Sequence, residues 1–374
     1  MSPESESPDA SAALQSPLHD RHALLGAKWA DFGGWSMPLE YAGGGVTKEH
    51  EAVRTAVGVF DVSHLGTARI IGPGATAAVD AILTNSLDRI TAGHAQYTLL
   101  CNAAGGVIDD LIVYRVSDDE LLVIPNASNS AQVLAVLRDH LPSNVVITDR
   151  HTQTAIIAVQ GPRSAEVLTS LGLPTSMDYM AFDTAEINGI TVTICRTGYT
   201  GEVGFELLID ASRAGELWDA VLAAQIGVPV VPCGLAARDT LRTEMGYPLH
   251  GQDLSPTITP VQAGVAWAVG WDKPAFDGRD ALVAERAAGP KRRLRGLRAT
   301  GRGIPRSHMA VSSLTGEVVG EVTSGTFSPT LQIGIALALL DSSVSIDDEV
   351  VVDVRGRPVA FVVIKPPFVE ASTR

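Results

Sequence analysis

Several common protein classes are excluded by what this chain has little of. There are only three cysteines, Cys101, Cys195 and Cys233, far apart and without a C-x-x-C pair. They support neither a disulfide framework nor a zinc ribbon, and so sparse a set fits a reducing compartment. No apolar run approaches the roughly 18 residues of a helical membrane span; the longest tracts, such as 333–340, are short and contain Gly334. Positive charge is scarce too. Lys and Arg number 28 against 42 Asp and Glu, a net charge of −14. Such a field repels a polyanion, so no nucleic-acid partner is expected. Nucleotide and nucleophile signatures are missing. Gly43-Gly44-Gly45-Val46-Thr47-Lys48 lacks the P-loop spacing, Gly72-Pro73-Gly74 is a turn, and there is no G-x-G-x-x-G or G-x-S-x-G. The nine histidines are scattered, and His19 and His22 have no third ligand at a useful spacing, so no metal is expected.

What remains is a chain of 374 residues, 45% hydrophobic and 19% charged. That is enough for two or three domains with real cores. Residues 1–17 are rich in Ser, Pro, Glu and Ala, and the first basic residue is Arg21. This segment has neither a secretory nor a mitochondrial pattern. It reads as a disordered tail, and the location expected is cytoplasmic. The body then mixes strands and helices. Strand signals cover 68–71, 111–115, 121–125, 154–159, 186–195 and 204–209. Helical signals cover 128–141, 163–171, 211–224 and 235–245. Residues 286–290 read as a linker through Ala287-Ala288-Gly289-Pro290. Short β-rich runs then fill 291–374, the pattern of an all-β barrel or sandwich.

Three tracts carry candidate chemistry. In the first, Gly105-Gly106 precede Asp109-Asp110 at the head of an apolar strand. Successive strand side chains face opposite ways, so the two acids cannot both face the core, and one is expected in a low-dielectric cleft. The plainer reading is a turn acid. In the second, Gly198, Gly201 and Gly204 surround Tyr199 ahead of Glu206. A carboxylate there needs a donor if buried; the alternative is a glycine-rich hairpin with Glu206 in solvent. In the third, Arg238 and Arg242 lie four apart on one helix face. Their plainer reading is a solvated face or a pairing with local acids.

Taken together these tracts resemble the glycine cleavage T-protein family. The resemblance extends from about Leu18 to Phe368 through Phe32-Gly33-Gly34-Trp35-Ser36-Met37-Pro38, Phe60-Asp61-Val62-Ser63-His64-Leu65-Gly66, the 105–110 tract and Val159-Gln160-Gly161-Pro162. It continues through the 198–206 and 234–242 tracts, Val322-Thr323-Ser324-Gly325 and Lys365-Pro366-Pro367-Phe368-Val369, all in the family's order. It implies an α+β fold: a three-domain cloverleaf around a central folate channel. Two intertwined α+β subdomains would fill 18–285, and a C-terminal β-barrel or jelly-roll-like domain 291–374. It implies transfer of an aminomethyl-derived carbon from the lipoyl arm of an H protein to tetrahydrofolate, giving 5,10-methylenetetrahydrofolate and ammonia, with neither metal nor flavin. A freestanding folate-dependent demethylase and a non-catalytic folate-binding helper share the fold and are the alternatives.

Carried over by position, Asp110 is the catalytic carboxylate. It is expected to stay ionised and to orient the attacking folate nitrogen. Glu206 would anchor the pterin and Arg238 contact the folate. Tyr97, Tyr114, Asn126, Tyr199, Trp267 and Leu65 would line the channel, Leu65 standing where many members have Met. The basic stretch Lys291-Arg292-Arg293-Leu294-Arg295 suits either an acidic partner or a charge-protected strand edge.

Overall fold

The structure, a computed structural model, describes residues 13–370 and 372–373. Among the described residues the strands form four sheets. A three-stranded sheet joins Leu14–Gln15, Trp35–Tyr41 and Ala27–Phe32. A six-stranded sheet runs in the order Phe182–Ile187, Ile190–Cys195, Gly204–Asp210, Thr154–Gln160, Val57–Asp61 and Val230–Cys233. A five-stranded sheet runs His94–Cys101, Val107–Ser117, Glu120–Ile124, Ala68–Ile71 and Val146–Asp149. The fourth is a closed barrel of Arg292–Ala299, Ile333–Asp341, Val318–Ser328, Ala310–Ser312, Glu349–Asp353 and Pro358–Ile364. The class is therefore α+β with a C-terminal barrel, as the sequence leads one to expect.

The six-stranded and five-stranded sheets each bury one face under helices. Helices Ser164–Ser170 and Ala214–Leu222 cover the six-stranded sheet, with Val167, Leu168, Leu217, Trp218 and Val221 in its core. Ala75–Asp80 and Ser130–His140 cover the five-stranded sheet through Val79, Val133, Leu134 and Leu137. The uncovered faces meet over a third cluster that includes Phe60, Tyr114, Ile156, Ala158, Leu208 and Leu241. Helix Leu235–Met245 closes this seam and ends at Gly246, whose φ of +68° suits a residue without a Cβ. The barrel core is apolar, built on Leu297, Val322, Leu340, Val352, Phe361 and Val363.

Buried polar networks fasten the barrel to this helix. Arg242 reaches Asp253 at 2.7 Å and Ser324 at 2.8 Å. Glu244 accepts from the hydroxyls of Ser328 at 2.5 Å and Thr330 at 2.9 Å. On its other side it pairs with Arg54 at 2.8 Å and His50 at 3.2 Å.

Three details depart from the sequence reading. Residues 14–17 are not tail: Leu14 and Gln15 pair with Trp35 and Ser36, and the Ser16 hydroxyl donates to buried Asp61. The rest of that expected tail, 1–12, lies outside the described residues. Residues 286–288 are not linker but the last turn of helix Arg279–Ala288, which stops at Gly289. The run 186–195 is not one strand. Asn188 and Gly189, with φ of +51° and +71°, fold it into a tight hairpin. Asn-Gly tolerates two left-handed residues in succession, the two-residue turn matched to strand twist.

Candidate functional site

The strand that carries both acids starts at a tight turn. Gly105 has a φ of +84°, and a Cβ on Gly106 would lie 1.9 Å from the Pro256 carbonyl oxygen. Asn102 ties the turn, accepting from the Ala104 and Gly106 N–H groups at 3.0 Å and donating to Pro256 O at 2.9 Å. Gly106→Ala must therefore move backbone. We expect it to cost about 1–3 kcal/mol and to slow catalysis by displacing the acids. Urea unfolding and an activity assay check this; wild-type values for both would show that the close approach is dispensable.

Asp109 and Asp110 then point to opposite faces. Asp109 shares its face with buried Leu111 and Val113 and has no exposed surface. Asp110 shares the face of Ile112 and Tyr114 and is only half-buried. Asn126, just past strand Glu120–Ile124, straddles the sheet at this point. Its backbone N–H donates to Asp109 Oδ2 at 3.0 Å. Its side-chain Nδ2 donates to Asp109 Oδ1 at 2.8 Å, Asp110 Oδ1 at 2.8 Å and Asp110 O at 2.9 Å. Tyr97, on the neighbouring strand, donates its hydroxyl to Asp110 Oδ2 at 3.0 Å.

Neither carboxylate has a Lys or Arg partner among the described residues. Burial and the charge of Asp110 push the Asp109 carboxyl up to about 7 against its Asn126 and Asn129 donors. Burial also raises Asp110, with His250, Tyr97 and Asn126 pulling the other way. Burial thus works against the ionised Asp110 that the sequence reading expects, and its three polar neighbours work for it. Two carboxyls in low dielectric share the cost of charge, so burial and mutual repulsion both favour keeping a proton on the pair. A carboxylate whose pKa is raised holds a proton better than an ordinary aspartate does.

The other candidates line up beside this pair. Trp267, 63% exposed, stacks on Tyr97 with ring centroids 5.3 Å apart. Tyr199 lies within electrostatic reach of Tyr97, Asp110 and Arg238. The Arg238 guanidinium sits 4.8 Å from the Tyr199 ring centroid. It makes no hydrogen bond or ion pair with the described residues, although burial lowers its pKa and Glu206 opposes that. The Thr197 hydroxyl donates to Glu206 Oε2 at 2.6 Å, leaving the other oxygen without a donor among the described residues. Leu65 packs at the seam, and a Cβ on its neighbour Gly66 would meet Pro125 beside Asn126.

Tyr114 is the exception. It is 2% exposed, edge-on to Phe182, with its hydroxyl 3.4 Å from Thr197. It backs the wall behind Glu206 and does not line it, because the strand face it shares with Asp110 has by then passed under the second sheet. Asn129, Thr197 and His250 were not visible as site residues in the sequence, since no motif or periodicity marks them. An open groove of about 770 Å³ beyond the Gly105–Gly106 turn, lined by Pro256, Glu285 and Arg292, contains none of the candidates.

Fold and site together define an α+β protein with an appended barrel and a half-buried, uncompensated anionic cleft flanked by aromatic rings, a free guanidinium and a free carboxylate oxygen. The sequence matches the GCVT N-terminal domain over residues 18–273 and the glycine cleavage T-protein C-terminal barrel domain over 292–370. The chain belongs to the glycine cleavage T-protein family. The aminomethyltransferase of Parafrankia sp. (strain EAN1pec) is 61% identical over 360 residues, 96% of this chain and 99% of that one. That of Mycobacterium tuberculosis (strain ATCC 25618 / H37Rv) is 57% identical over 369 residues, covering 98% and 100%. The crystal structure of glycine cleavage system aminomethyltransferase T from Bartonella henselae superposes with a TM-score of 0.90 at 32% identity, covering 96% of this chain and 99% of that chain.

Proposed function

We propose that this chain moves the aminomethyl carbon from the lipoyl arm of a glycine cleavage H protein to tetrahydrofolate, with release of ammonia. Membership of a family whose relatives are named aminomethyltransferases makes it an enzyme of the transferase class. The observation that carries the fuller reading is the cleft itself: Asp110, half-buried between Tyr97 and Asn126, opens toward Tyr199, Arg238 and Glu206.

Tetrahydrofolate supplies the amine nitrogens that take up the carbon. The free Glu206 oxygen is suited to the paired N–H groups of an aminopyrimidinone edge, and Arg238 to its acceptors or to a carboxylate. Tyr97, Tyr199 and Trp267 offer flat faces for its rings. The residues present therefore fit the acceptor. Asp110 accepts an N–H from the attacking amine and holds it in line. The uncompensated carboxylates favour positive charge developing at the transferred carbon. Tyr97 and Asn126 keep Asp110 in one orientation, which converts positioning into rate.

The test is single-turnover formation of methylenetetrahydrofolate from aminomethyl-loaded H protein. Turnover supports the reading. Folate binding without consumption of the aminomethyl group overturns it and favours a demethylase. For the pterin anchor, Glu206→Gln keeps the shape but replaces an acceptor with a donor. Its affinity for tetrahydrofolate, read by calorimetry, is expected to fall about tenfold or more, at least ~1.4 kcal/mol. Unchanged affinity would remove Glu206 from the binding site. The docking surface for the H protein is proposed to involve the basic stretch at 291–295, where charge reversal should raise the KM for H protein more than that for folate.

A further inference from the structure

Behind Asp110 lies a chain of hydrogen bonds whose donors and acceptors can be fixed by elimination. The Val107 carbonyl can only accept, so the His250 Nε2 facing it at 3.1 Å carries a hydrogen. In the neutral ring the other nitrogen, Nδ1, is then an acceptor. Asn129 Nδ2 lies 2.9 Å from that nitrogen and 2.7 Å from Asp109 Oδ1, and donates to both when Asp109 is ionised. Asp109 in turn faces Asn126 Nδ2, which also meets two oxygens of Asp110. Every acceptor around Asn126 is on its nitrogen side.

His250 is itself held in place. The Tyr199 hydroxyl donates to Pro248 O, and Leu249 N–H donates to Asp253 Oδ2 at 2.9 Å. Asp253 is fully buried against Arg242 and the barrel hydroxyls. The loop that presents His250 is therefore anchored to rigid elements on both sides.

We propose that His250 is a positioning residue for the transfer reaction: through Asn129 and Asp109 it fixes the amide of Asn126 and, with it, the Asp110 carboxylate. The inference rests on the transfer reading above. His250 touches no reacting atom. Removing its Nδ1 acceptor frees the Asn129 amide to rotate and loosens Asp109, and the looseness reaches Asp110 through Asn126. The cost falls on the chemical step and not on folate binding, because Glu206 and Arg238 stand outside the relay.

Three variants of the full chain test this by single turnover with aminomethyl-loaded H protein, alongside the tetrahydrofolate Kd. His250→Leu removes both ring nitrogens and is expected to slow the step about 10- to 100-fold, with Kd within about twofold of wild type. His250→Asn restores an acceptor near the place of Nδ1 and is expected to recover most of that rate. Asn129→Ala cuts the same link from a half-buried position and should match His250→Leu, so the test survives if the leucine variant fails to fold. The proposal is overturned by a wild-type rate in His250→Leu or Asn129→Ala, by no recovery in His250→Asn, or by a Kd that weakens in step with the rate. A wild type that binds folate but never turns over overturns the transfer reading itself, and this inference with it.

Discussion

Asp110→Asn is expected to lower the single-turnover rate by about 10²–10⁴-fold, the range of a positioned acid–base group, while tetrahydrofolate binding stays close to wild type. Asparagine keeps the volume and can still accept from Tyr97, whose hydroxyl lies 3.0 Å from the native carboxylate. It loses the negative charge and the ability to take a proton. The wild-type rate should also fall as pH drops through about 7, where Asp109 takes up a proton and the pair loses one of its two charges. The asparagine variant should lack that limb. Stability should respond in the opposite sense. Burial and the charge of Asp110 raise the folded pKa of Asp109 to about 7, well above the ordinary aspartate range. A raised carboxyl contributes stability that is present below its unfolded pKa and lost as pH rises through its folded one. Removing the neighbouring charge relieves that loss, so above pH 7 the variant should unfold at no lower urea than wild type. A variant that is slow because it is less stable, or one that keeps its rate, would remove Asp110 from the chemistry.

A cleft acid at this strand head was legible because residue type and spacing are local facts; that it should be Asp110 came from the resemblance to the T-protein family. Two glycines, two acids and an apolar strand state a turn and a strand head, and strand geometry alone separates the two carboxyls. The structure then decides which is which: Asp109 is sealed and Asp110 opens to the cleft. Helix Leu235–Met245 was equally legible, bounded by Gly234 and Gly246. The strand His94–Cys101, which carries Tyr97, was not, because it is covered on both sides and shows no alternation. Helix Arg279–Ala288 read partly as linker because its last turn, Arg286-Ala287-Ala288, runs straight into Gly289-Pro290. The relay behind the site was out of reach for another reason. Asn129 meets Asp109 across 20 residues and His250 across 121. No periodicity encodes such a meeting; it exists only once the sheet and the Tyr247–His250 loop are in place.

The largest effect on stability is expected at Glu244, not at the cleft. Its side chain is fully buried where helices Gly45–Thr55 and Leu235–Met245 meet the barrel turn at Ser328–Thr330. Burial alone would raise its pKa, but His50, Ser328 and Arg54 outweigh that and hold it down at about 2. A depressed carboxyl contributes stability that is present above its unfolded pKa and lost as pH falls through its folded one. The junction should therefore be fully formed from about pH 5 upward and weaken only in strong acid. Glu244→Ala leaves Arg54 with Glu202 at 2.9 Å and the Thr200 carbonyl at 2.7 Å, and strips the two barrel hydroxyls of their acceptor. Breaking one partner out of a buried ionic network costs about 3–5 kcal/mol. Urea unfolding at pH 7 should show that loss, and the double variant with Arg54→Ala should lose less than the sum of the two, because each single variant already breaks the Arg54–Glu244 pair. A loss under about 1 kcal/mol would mean that the network behaves like a surface pair and that apolar packing alone seats the barrel. The effect should also reach function. Arg54 holds the 200–202 segment next to Tyr199, so a loosened junction should weaken folate affinity in Glu244→Ala while leaving the pH limb set by Asp109 and Asp110 where it was.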